Sequence, residues 1–440
     1  MKNIREVLVT LLRSRNLADT IWAGSGILAG GAFGALSSAI LARALGVDEF
    51  GVYTLIMSLV LMIASLCDLG ISGSVVRFGS ESLALGDGRR LRLVAGLAAQ
   101  AKGVLSIGVV VLSVLLLKPI LAAVGARLDE RVETYFLYSL ITVVILSLAQ
   151  FFPPVYQAFK EFRRQAVVSL VAPAFKALLL IAIIALAMRL TVGITLWVEG
   201  TAAVASLIIY WWRSPVRSFD LRARDPALRS SMLSFNKWLS VYFILNTLGG
   251  RIDVMMLGGI AGAHALGLYG AAMKVVSLIL MACNAYLTVL LPDFARVLSH
   301  DALRRKRRNA FLMAGAVCGG LVLVALGAPL LVRILFGPSY ADVTPLIRMM
   351  LGGTAATVLG YPVIGTLYVL NKSIVFAFMA AASAAALALL CWLLIPAVGV
   401  MGAAVAYAGG AAASTIIAIG YYLVRGLRVE QAYPWKEVPA

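Results

Sequence analysis

The chain is poor in charged residues and has almost no histidine. Charged side chains make up 13% of its 440 residues, and the sequence contains two histidines and four cysteines. Hydrophobic residues make up 62%, which is far more than a water-soluble protein of this length can bury. The longest polar link, 213–229, is too short to form a soluble domain. These shortages exclude a soluble globular protein and favour one that crosses a membrane many times.

Residues that serve metal, redox or acid–base chemistry are few and scattered. The four cysteines lie inside apolar stretches without the spacing of a zinc motif, so they are predicted to be small buried residues. His264 and His300 lie in links with no partners for a catalytic triad. A membrane-embedded glycan polymerase or glycosyltransferase needs a large external loop or an Asp-x-Asp metal motif, and the sequence has neither. We therefore expect neither an enzyme nor a metal cofactor.

Apolar runs long enough to cross a bilayer recur along the whole chain. A spanning helix needs about 20 apolar residues, and twelve stretches meet that requirement. They lie at 21–44, 51–76, 93–117, 134–158, 166–188, 190–212, 233–257, 265–291, 310–335, 346–370, 373–395 and 398–424. The sequence therefore predicts an all-α polytopic membrane protein with twelve transmembrane helices.

Basic residues are concentrated in alternate links between these spans. They occur in both terminal tails and after the second, fourth, sixth and eighth spans, with the densest run at Arg304–Arg308. The links after the seventh and eleventh spans, 258–264 and 396–397, contain no Lys or Arg. The positive-inside rule then predicts that both termini are cytoplasmic. The formal net charge of +18 is mostly a topology signal, and its dispersal over many links excludes nucleic acid as a partner.

Six spans in each half give both halves the same orientation, so two pseudo-symmetric six-helix lobes related by an axis along the membrane normal are predicted. The longest polar link marks the boundary between them. The predicted organisation is a cytoplasmic amphipathic segment at 1–20, an N-lobe with spans one to six at 21–212, a cytoplasmic inter-lobe link at 213–232, a C-lobe with spans seven to twelve at 233–424, and a cytoplasmic tail at 425–440.

The two halves resemble each other when the first is shifted by 216 residues. Gly46–Tyr53 then falls on Gly262–Tyr269, and Asp68 falls on Asn284. Each half thus has a glycine-flanked turn and a tyrosine at the outer end of its second span. These tyrosines are predicted to lie in the aromatic belt at the membrane surface.

Short motifs follow one another in a characteristic order through both halves. In the first half they are Ala42–Gly46, Glu49–Tyr53, Asp68–Gly70 and Arg77. In the second half they are Asp253, Leu266–Tyr269, Ala272, Lys274, Leu335–Tyr340 and Gly399–Ala404. Together these motifs resemble those of the bacterial polysaccharide and O-antigen flippases, the polysaccharide transporter branch of the multidrug/oligosaccharidyl-lipid/polysaccharide exporter superfamily. The resemblance extends over nearly the whole chain.

This resemblance implies two lobes around a central cavity and transport by alternating access. The substrate implied is a polyprenyl-pyrophosphate-linked oligosaccharide, moved from the cytoplasmic to the periplasmic leaflet of the bacterial inner membrane. Expected partners are this lipid-linked glycan and membrane lipids, with the polysaccharide polymerase and chain-length machinery as further candidates. The identity of the glycan is not implied.

Ionisable residues inside the predicted spans are candidates for the transport site, because such groups are costly at membrane depth and usually face a cavity or a partner. The cations are Lys102, Lys176, Arg251 and Lys274, and the carboxylates are Asp68, Glu199 and Asp253. Because Arg and Lys bind phosphate oxygens, the four cations are candidates for binding the substrate, and at least one of them is predicted to line the cavity. The three carboxylates are candidates for coupling to a proton or sodium gradient, with Glu199 favoured.

Each of these charges also has a structural interpretation. Lys102 could extend toward the cytoplasmic face of the membrane, and Asp68 could make a hydrogen bond at a helix end near Gly70. Arg251 and Asp253 are two residues apart and do not face each other on a helix, but either could pair with a group on another helix.

Three other functions stay open. A cation-coupled multidrug exporter of the same superfamily would be expected to have a carboxylate-rich cavity, whereas this set of charges is mainly cationic. A glycan polymerase is disfavoured by the short links. A non-transporting scaffold for an envelope polysaccharide pathway would share the fold and differ only in energetics.

Overall fold

The computed structural model describes residues 15–125, 131–215, 224–295, 299–370, 373–426 and 430. Over these residues the chain is helical and contains no strand. Most of the predicted terminal segments, 1–20 and 425–440, and the middle of the predicted inter-lobe link lie outside the described residues.

Fifteen α-helices lie within these ranges. The first ten are α1 Arg15–Leu66, α2 Ile71–Ala84, α3 Gly88–Leu115, α4 Leu117–Gly125, α5 Arg131–Ala149, α6 Phe152–Ala158, α7 Phe162–Ser169, α8 Val171–Ala185, α9 Val192–Arg213 and α10 Pro226–Gly249. The last five are α11 Ile252–Ala295, α12 His300–Leu335, α13 Val343–Val369, α14 Ser373–Val398 and α15 Val400–Tyr421. A 3₁₀ turn, Pro338–Tyr340, follows α12, and a π turn, Tyr422–Gly426, follows α15.

Ten helical stretches within the described residues are long and apolar enough to cross a membrane. Two of them, Leu28–Leu66 and Thr247–Asn284, contain 39 and 38 residues, nearly twice the length that a bilayer needs. Each of these two changes direction at a glycine with positive φ, Gly46 (φ 76°) and Gly262 (φ 83°), and so contributes two spans. The ten stretches, together with helix α10 at the predicted seventh span, account for all twelve predicted spans, and the predicted all-α polytopic membrane fold is confirmed.

The contacts within the chain define two compact units, which are described separately. The first contains the residues up to 45 together with 52–251. The second contains Gly46–Gly51 and the residues from 252 onward. Helix α10 thus belongs to the first unit, although it carries most of the predicted seventh span. The lobe boundaries derived from the sequence stay a prediction.

In the first unit, the predicted second span is broken at the turn Cys67–Gly70 between α1 and α2. Helix α10 packs on this region through two hydrogen bonds. The Ser240 hydroxyl donates to the Leu69 carbonyl oxygen (2.7 Å), and the Ser74 hydroxyl donates to Asn236 Oδ1 (2.6 Å). These side chains satisfy backbone and amide groups that the break would otherwise leave unpaired in an apolar environment.

In the second unit, helices α13, α14 and α15 approach one another closely through small residues. A Cβ added to Gly353 on α13 would lie 2.6 Å from Ala408 Cα on α15, and one added to Gly402 on α15 would lie 2.5 Å from the Leu394 carbonyl carbon on α14. Small residues allow such close contact between backbones within a membrane, where packing rather than hydrophobicity drives the association of helices.

Candidate functional site

Three helices of the first unit bring a buried lysine, a glutamate and a tyrosine together. Lys176 on α8 forms an ion pair with Glu199 on α9, and the side chains of both are 13% exposed. The Tyr53 hydroxyl on α1 donates a hydrogen bond to Glu199 and accepts one from Lys176 Nζ (3.1 Å). One predicted substrate-binding cation and the favoured coupling carboxylate therefore lie in a single cluster.

A second ion pair joins the break in the second span to α3. Lys102 Nζ lies 2.7 Å from Asp68 Oδ1, and Lys102 is completely buried. The Ser72 hydroxyl at the start of α2 also donates to Asp68 Oδ1 (2.7 Å). The lysine thus points to a carboxylate rather than to the membrane surface. Asp68 makes both a helix-end hydrogen bond and an ion pair.

We expect replacement of Lys102 with methionine to destabilise the protein by about 3–5 kcal/mol, because it leaves a buried carboxylate without its cation. The double variant Lys102→Met/Asp68→Leu should recover most of this loss, since no charge then stays behind. Thermal unfolding of the purified protein in detergent measures both effects. Equal destabilisation by the single and double variants would show that the pair contributes nothing beyond packing.

In the second unit, Asp253 lies in the first turn of α11 and is 4% exposed. Its Oδ2 atom accepts a hydrogen bond from the Tyr269 hydroxyl, and its Oδ1 atom accepts one from the Val254 amide (2.8 Å). Tyr269 corresponds to Tyr53 under the 216-residue shift. Corresponding tyrosines therefore each donate to a carboxylate.

The prediction that these two tyrosines lie in an interfacial aromatic belt is wrong. Tyr53 is 3% exposed and Tyr269 is completely buried. A tyrosine in an aromatic belt keeps its hydroxyl in the wet interface, whereas here both hydroxyl groups hydrogen-bond to buried carboxylates. These carboxylate–tyrosine contacts leave no signal in the sequence, because the partners are 146 and 16 residues apart and a tyrosine carries no charge that would indicate pairing.

The other two predicted cations lie elsewhere. Arg251 is half-buried in the turn between α10 and α11, where its amide donates to the Leu248 carbonyl oxygen (3.3 Å). Lys274 has an exposed side chain on α11. The structure therefore groups Lys102 and Lys176 with carboxylates, and it places Arg251 in a turn and Lys274 on an exposed surface.

Helix α3 borders two crevices of the first unit. One, of about 620 Å³, has Lys102 as its single charged lining residue, with aromatic and aliphatic side chains of α6 and α9 around it. The other, of about 290 Å³, includes Gln100, Arg229 and Asn236 in its lining. No group of three or more His, Cys, Asp or Glu side chains within the described ranges could hold a metal ion.

Two corresponding turns meet in the second unit. A Cβ added to Gly51 would lie well inside contact distance of the Ala263 carbonyl oxygen, and one added to Gly267 would do the same with the Val47 carbonyl oxygen. Asp48 and His264, which also correspond, pair at 2.9 Å between Oδ1 and Nδ1. Only glycine permits this approach of backbone to backbone. We refer to Gly46–Gly51 and Gly262–Gly267 as the matched turns.

The first matched turn is also held by aromatic packing. The ring of Phe50 meets that of Tyr340 edge to face at a centroid distance of 6.3 Å. Burial raises the pKa of the Tyr340 hydroxyl, and the negative charge of Asp48 raises it further. Tyr340 therefore stays neutral and packs as an aromatic side chain.

The fold built from these spans is similar to those of two solved membrane proteins. It superposes on an inward-facing multidrug resistance MATE family transporter of the MOP superfamily with a TM-score of 0.72, at 12% identity, over 92% of this chain and 96% of that one. It superposes on the lipid II flippase MurJ in an inward closed conformation, also with a TM-score of 0.72, at 11% identity, over 93% of this chain and 89% of that one. At such identities the similarity concerns the fold alone, which is that of a multi-pass membrane protein.

The sequence itself assigns the family. Residues 16–298 match the model of a family described as polysaccharide biosynthesis protein. Because the match covers well over half of the chain, the protein belongs to this family, and the resemblance noted in its motifs is confirmed.

A relative is the teichuronic acid biosynthesis protein TuaB of Bacillus subtilis (strain 168), which is 26% identical over 160 residues. The match covers 32% of this chain and spans less than a third, 30%, of the length of that relative.

Proposed function

We propose that the protein is a flippase that moves polyprenyl-pyrophosphate-linked oligosaccharide from the cytoplasmic to the periplasmic leaflet of the bacterial inner membrane. The observation that carries this proposal is the polysaccharide biosynthesis family match on a chain with the fold of a lipid II flippase. Both termini are cytoplasmic under this proposal, in accord with the basic links. The polymerase and chain-length machinery of the same pathway are candidate partners.

Alternating access is supported by the matched turns. In the proposed topology they lie at the periplasmic end of the spans, and their backbones are in direct contact. A transporter must be able to close this end while the other end admits substrate. The contact that glycine permits at Gly51 and Gly267 fits such a closed end.

For the substrate site, we keep Arg251 and Lys274 as two separate candidates, each considered by itself, for binding a phosphate oxygen of the substrate. Lys102 and Lys176 are each paired with a carboxylate, so part of their charge is already neutralised. Lys274 is exposed and Arg251 is half-buried, and the side chain of either can bind a phosphate oxygen. The two paired lysines stay as secondary candidates.

For energy coupling, we favour Glu199, followed by Asp253 and then Asp68. Binding of a proton or sodium ion to Glu199 would change its attraction to Lys176 and its hydrogen bond with Tyr53. Asp253 has a comparable tyrosine contact. Asp68 ranks last because Lys102 and Ser72 already engage its carboxylate.

The proposed function is tested by mass spectrometry of lipid extracts from a strain that lacks the protein. We expect polyprenyl-pyrophosphate glycan to accumulate and to clear when the gene is restored, and its mass would identify the glycan. Increased sensitivity to cationic drugs without such accumulation would favour a multidrug exporter, which the MATE-like fold also accommodates. If the strain shows neither glycan accumulation nor increased drug sensitivity, a transport function is overturned and the scaffold function stays.

Replacement of Lys274 or Arg251 with alanine is expected to reduce glycan export on the order of tenfold, because each removes a charged hydrogen bond to phosphate. Export is measured as the lipid-linked glycan retained at matched protein levels. Arg189→Ala is the control, since this exposed arginine lies in the link between α8 and α9. Normal export by both variants would contradict the substrate site.

A further inference from the structure

The basic run at the start of α12 is divided between two faces of the helix. Arg307 points inward, where its Nη1 atom lies 2.8 Å from Glu430 Oε2. The same carboxylate accepts a hydrogen bond from the Tyr422 hydroxyl and lies 3.2 Å from His300 Nε2. Glu430 is 2% exposed, so this contact anchors one side of the first turns of α12.

Three other arginines lie on the same turns. Arg304, Arg305 and Arg308 are all exposed. With Arg307 held by Glu430, Arg305 and Arg308 lie about 160° and about 100° around the helix from it, and Arg304 lies about 60° from it, at the exposed edge of the contact. Three guanidinium groups within two turns form a compact patch of positive charge.

Exposed apolar residues follow this patch along the helix. Leu312 lies seven residues after Arg305 and four after Arg308, which puts all three on the same side of the helix. Leu312 is 69% exposed, and its neighbour Met313 is 58% exposed. Helix α12 has 36 residues, about 54 Å, whereas the hydrocarbon core is about 30 Å thick. The predicted ninth span, 310–335, begins two residues before Leu312, so the first turns of α12 precede the hydrocarbon core in this assignment, and Leu312 and Met313 lie at its edge.

We propose that Arg304, Arg305 and Arg308 form a docking surface for the headgroup of an anionic phospholipid, whose acyl chains lie along the apolar surface at Leu312 and Met313. Arginine suits this role because its guanidinium group can bind two oxygens of a phosphodiester at once. The apolar surface directly beside the patch favours a lipid over a free anion, since it accepts the chains to which the phosphate is attached. The proposal depends on the membrane placement of α12 and not on the transported substrate.

The test uses delipidated full-length protein in detergent, titrated with dioleoyl phosphatidylglycerol or dioleoyl phosphatidylcholine and observed as intact complexes by mass spectrometry. We expect wild type to prefer phosphatidylglycerol. We expect Arg304→Gln/Arg305→Gln/Arg308→Gln to weaken that binding on the order of tenfold or more. Arg89→Gln/Arg92→Gln/Lys160→Gln removes three exposed cations from other links and should bind like wild type.

If the triple glutamine variant fails to fold, two further measurements can still contradict the proposal. Arg304→Lys/Arg305→Lys/Arg308→Lys preserves the charge and should retain a preference for phosphatidylglycerol. Binding to wild type should weaken as sodium chloride is raised. Insensitivity to salt, equal binding of phosphatidylcholine, or equal losses in the two glutamine variants would each overturn the proposal. Displacement of the lipid by an equal concentration of inorganic phosphate would also overturn it, since the site would then bind free anions.

Discussion

Replacement of Gly51 or Gly267 with alanine is expected to reduce transport on the order of a hundredfold. The added Cβ would lie closer to a carbonyl oxygen of the opposite turn than the 3.0 Å that real Cβ atoms respect. Because the obstacle is backbone on a packed helix end, the matched turns must separate by about an ångström, and packed interfaces do not deform gradually. Transport is measured by the lipid-linked glycan that accumulates in cells.

The control for this experiment is Gly108→Ala on α3, where an added Cβ meets nothing within 4 Å. We expect that variant to transport normally, since alanine is the better helix former. A cysteine introduced at Asp48 reports the state of the turns: an impermeant maleimide added outside the cell should label it faster in the Gly51→Ala background. Normal transport and unchanged labelling by both glycine variants would show that contact of the matched turns is not needed.

Replacement of Glu199 with glutamine is expected to remove the dependence of transport on an imposed proton or sodium gradient, with a loss of rate on the order of tenfold to a hundredfold. Glutamine keeps the hydrogen bond with Tyr53 but carries no charge for Lys176 to pair with. The measurement is glycan lipid translocation in sealed vesicles, with each gradient imposed separately. The gradient to which wild type responds identifies the coupling ion.

A structural role for the same cluster is separated from coupling by a second variant. Lys176→Met/Glu199→Gln removes both charges, so it should restore thermal stability relative to Glu199→Gln, because no unpaired charge is then buried. It should not restore the response to a gradient. If the double variant restores both thermal stability and the response to a gradient, Glu199 is not the coupling group. The same holds if Glu199→Gln keeps the full response. Asp253→Asn is then the next variant to test.

The membrane spans could be predicted from the sequence because hydrophobic length is a local property. In the two overlong stretches, Gly46 and Gly262 lie between consecutive predicted spans, where the change of direction needs a positive φ that glycine supplies readily. A helix end near Gly70 was one interpretation of Asp68, whereas the break next to Arg251 was not predicted. Their stabilising partners, such as Ser240, come from distant parts of the chain.

Of the two ion pairs within the first unit's spans, one could be predicted from the sequence. Spans five and six form an antiparallel pair with a short link, so Lys176 and Glu199, at similar distances from that link, must lie at similar depth in the membrane. The pairing of Lys102 with Asp68 depends on the turn that ends α1, which hydropathy does not reveal. The sequence therefore identifies the ionisable residues within the spans and one of their pairings, whereas the pairing of Lys102 with Asp68 is seen only in the structure.

The matched turns have the geometry of an isologous interface, in which one surface meets a copy of itself about a two-fold axis. Gly51 approaches Ala263 as Gly267 approaches Val47, so a single six-span half paired with an identical copy would make both contacts with one set of residues. On that axis a homodimer would have to place identical side chains against each other, and two aspartates there would repel. Joining the halves in one chain frees each position to differ, and Asp48 facing His264 is an attractive pair that a symmetric ancestor could not have made.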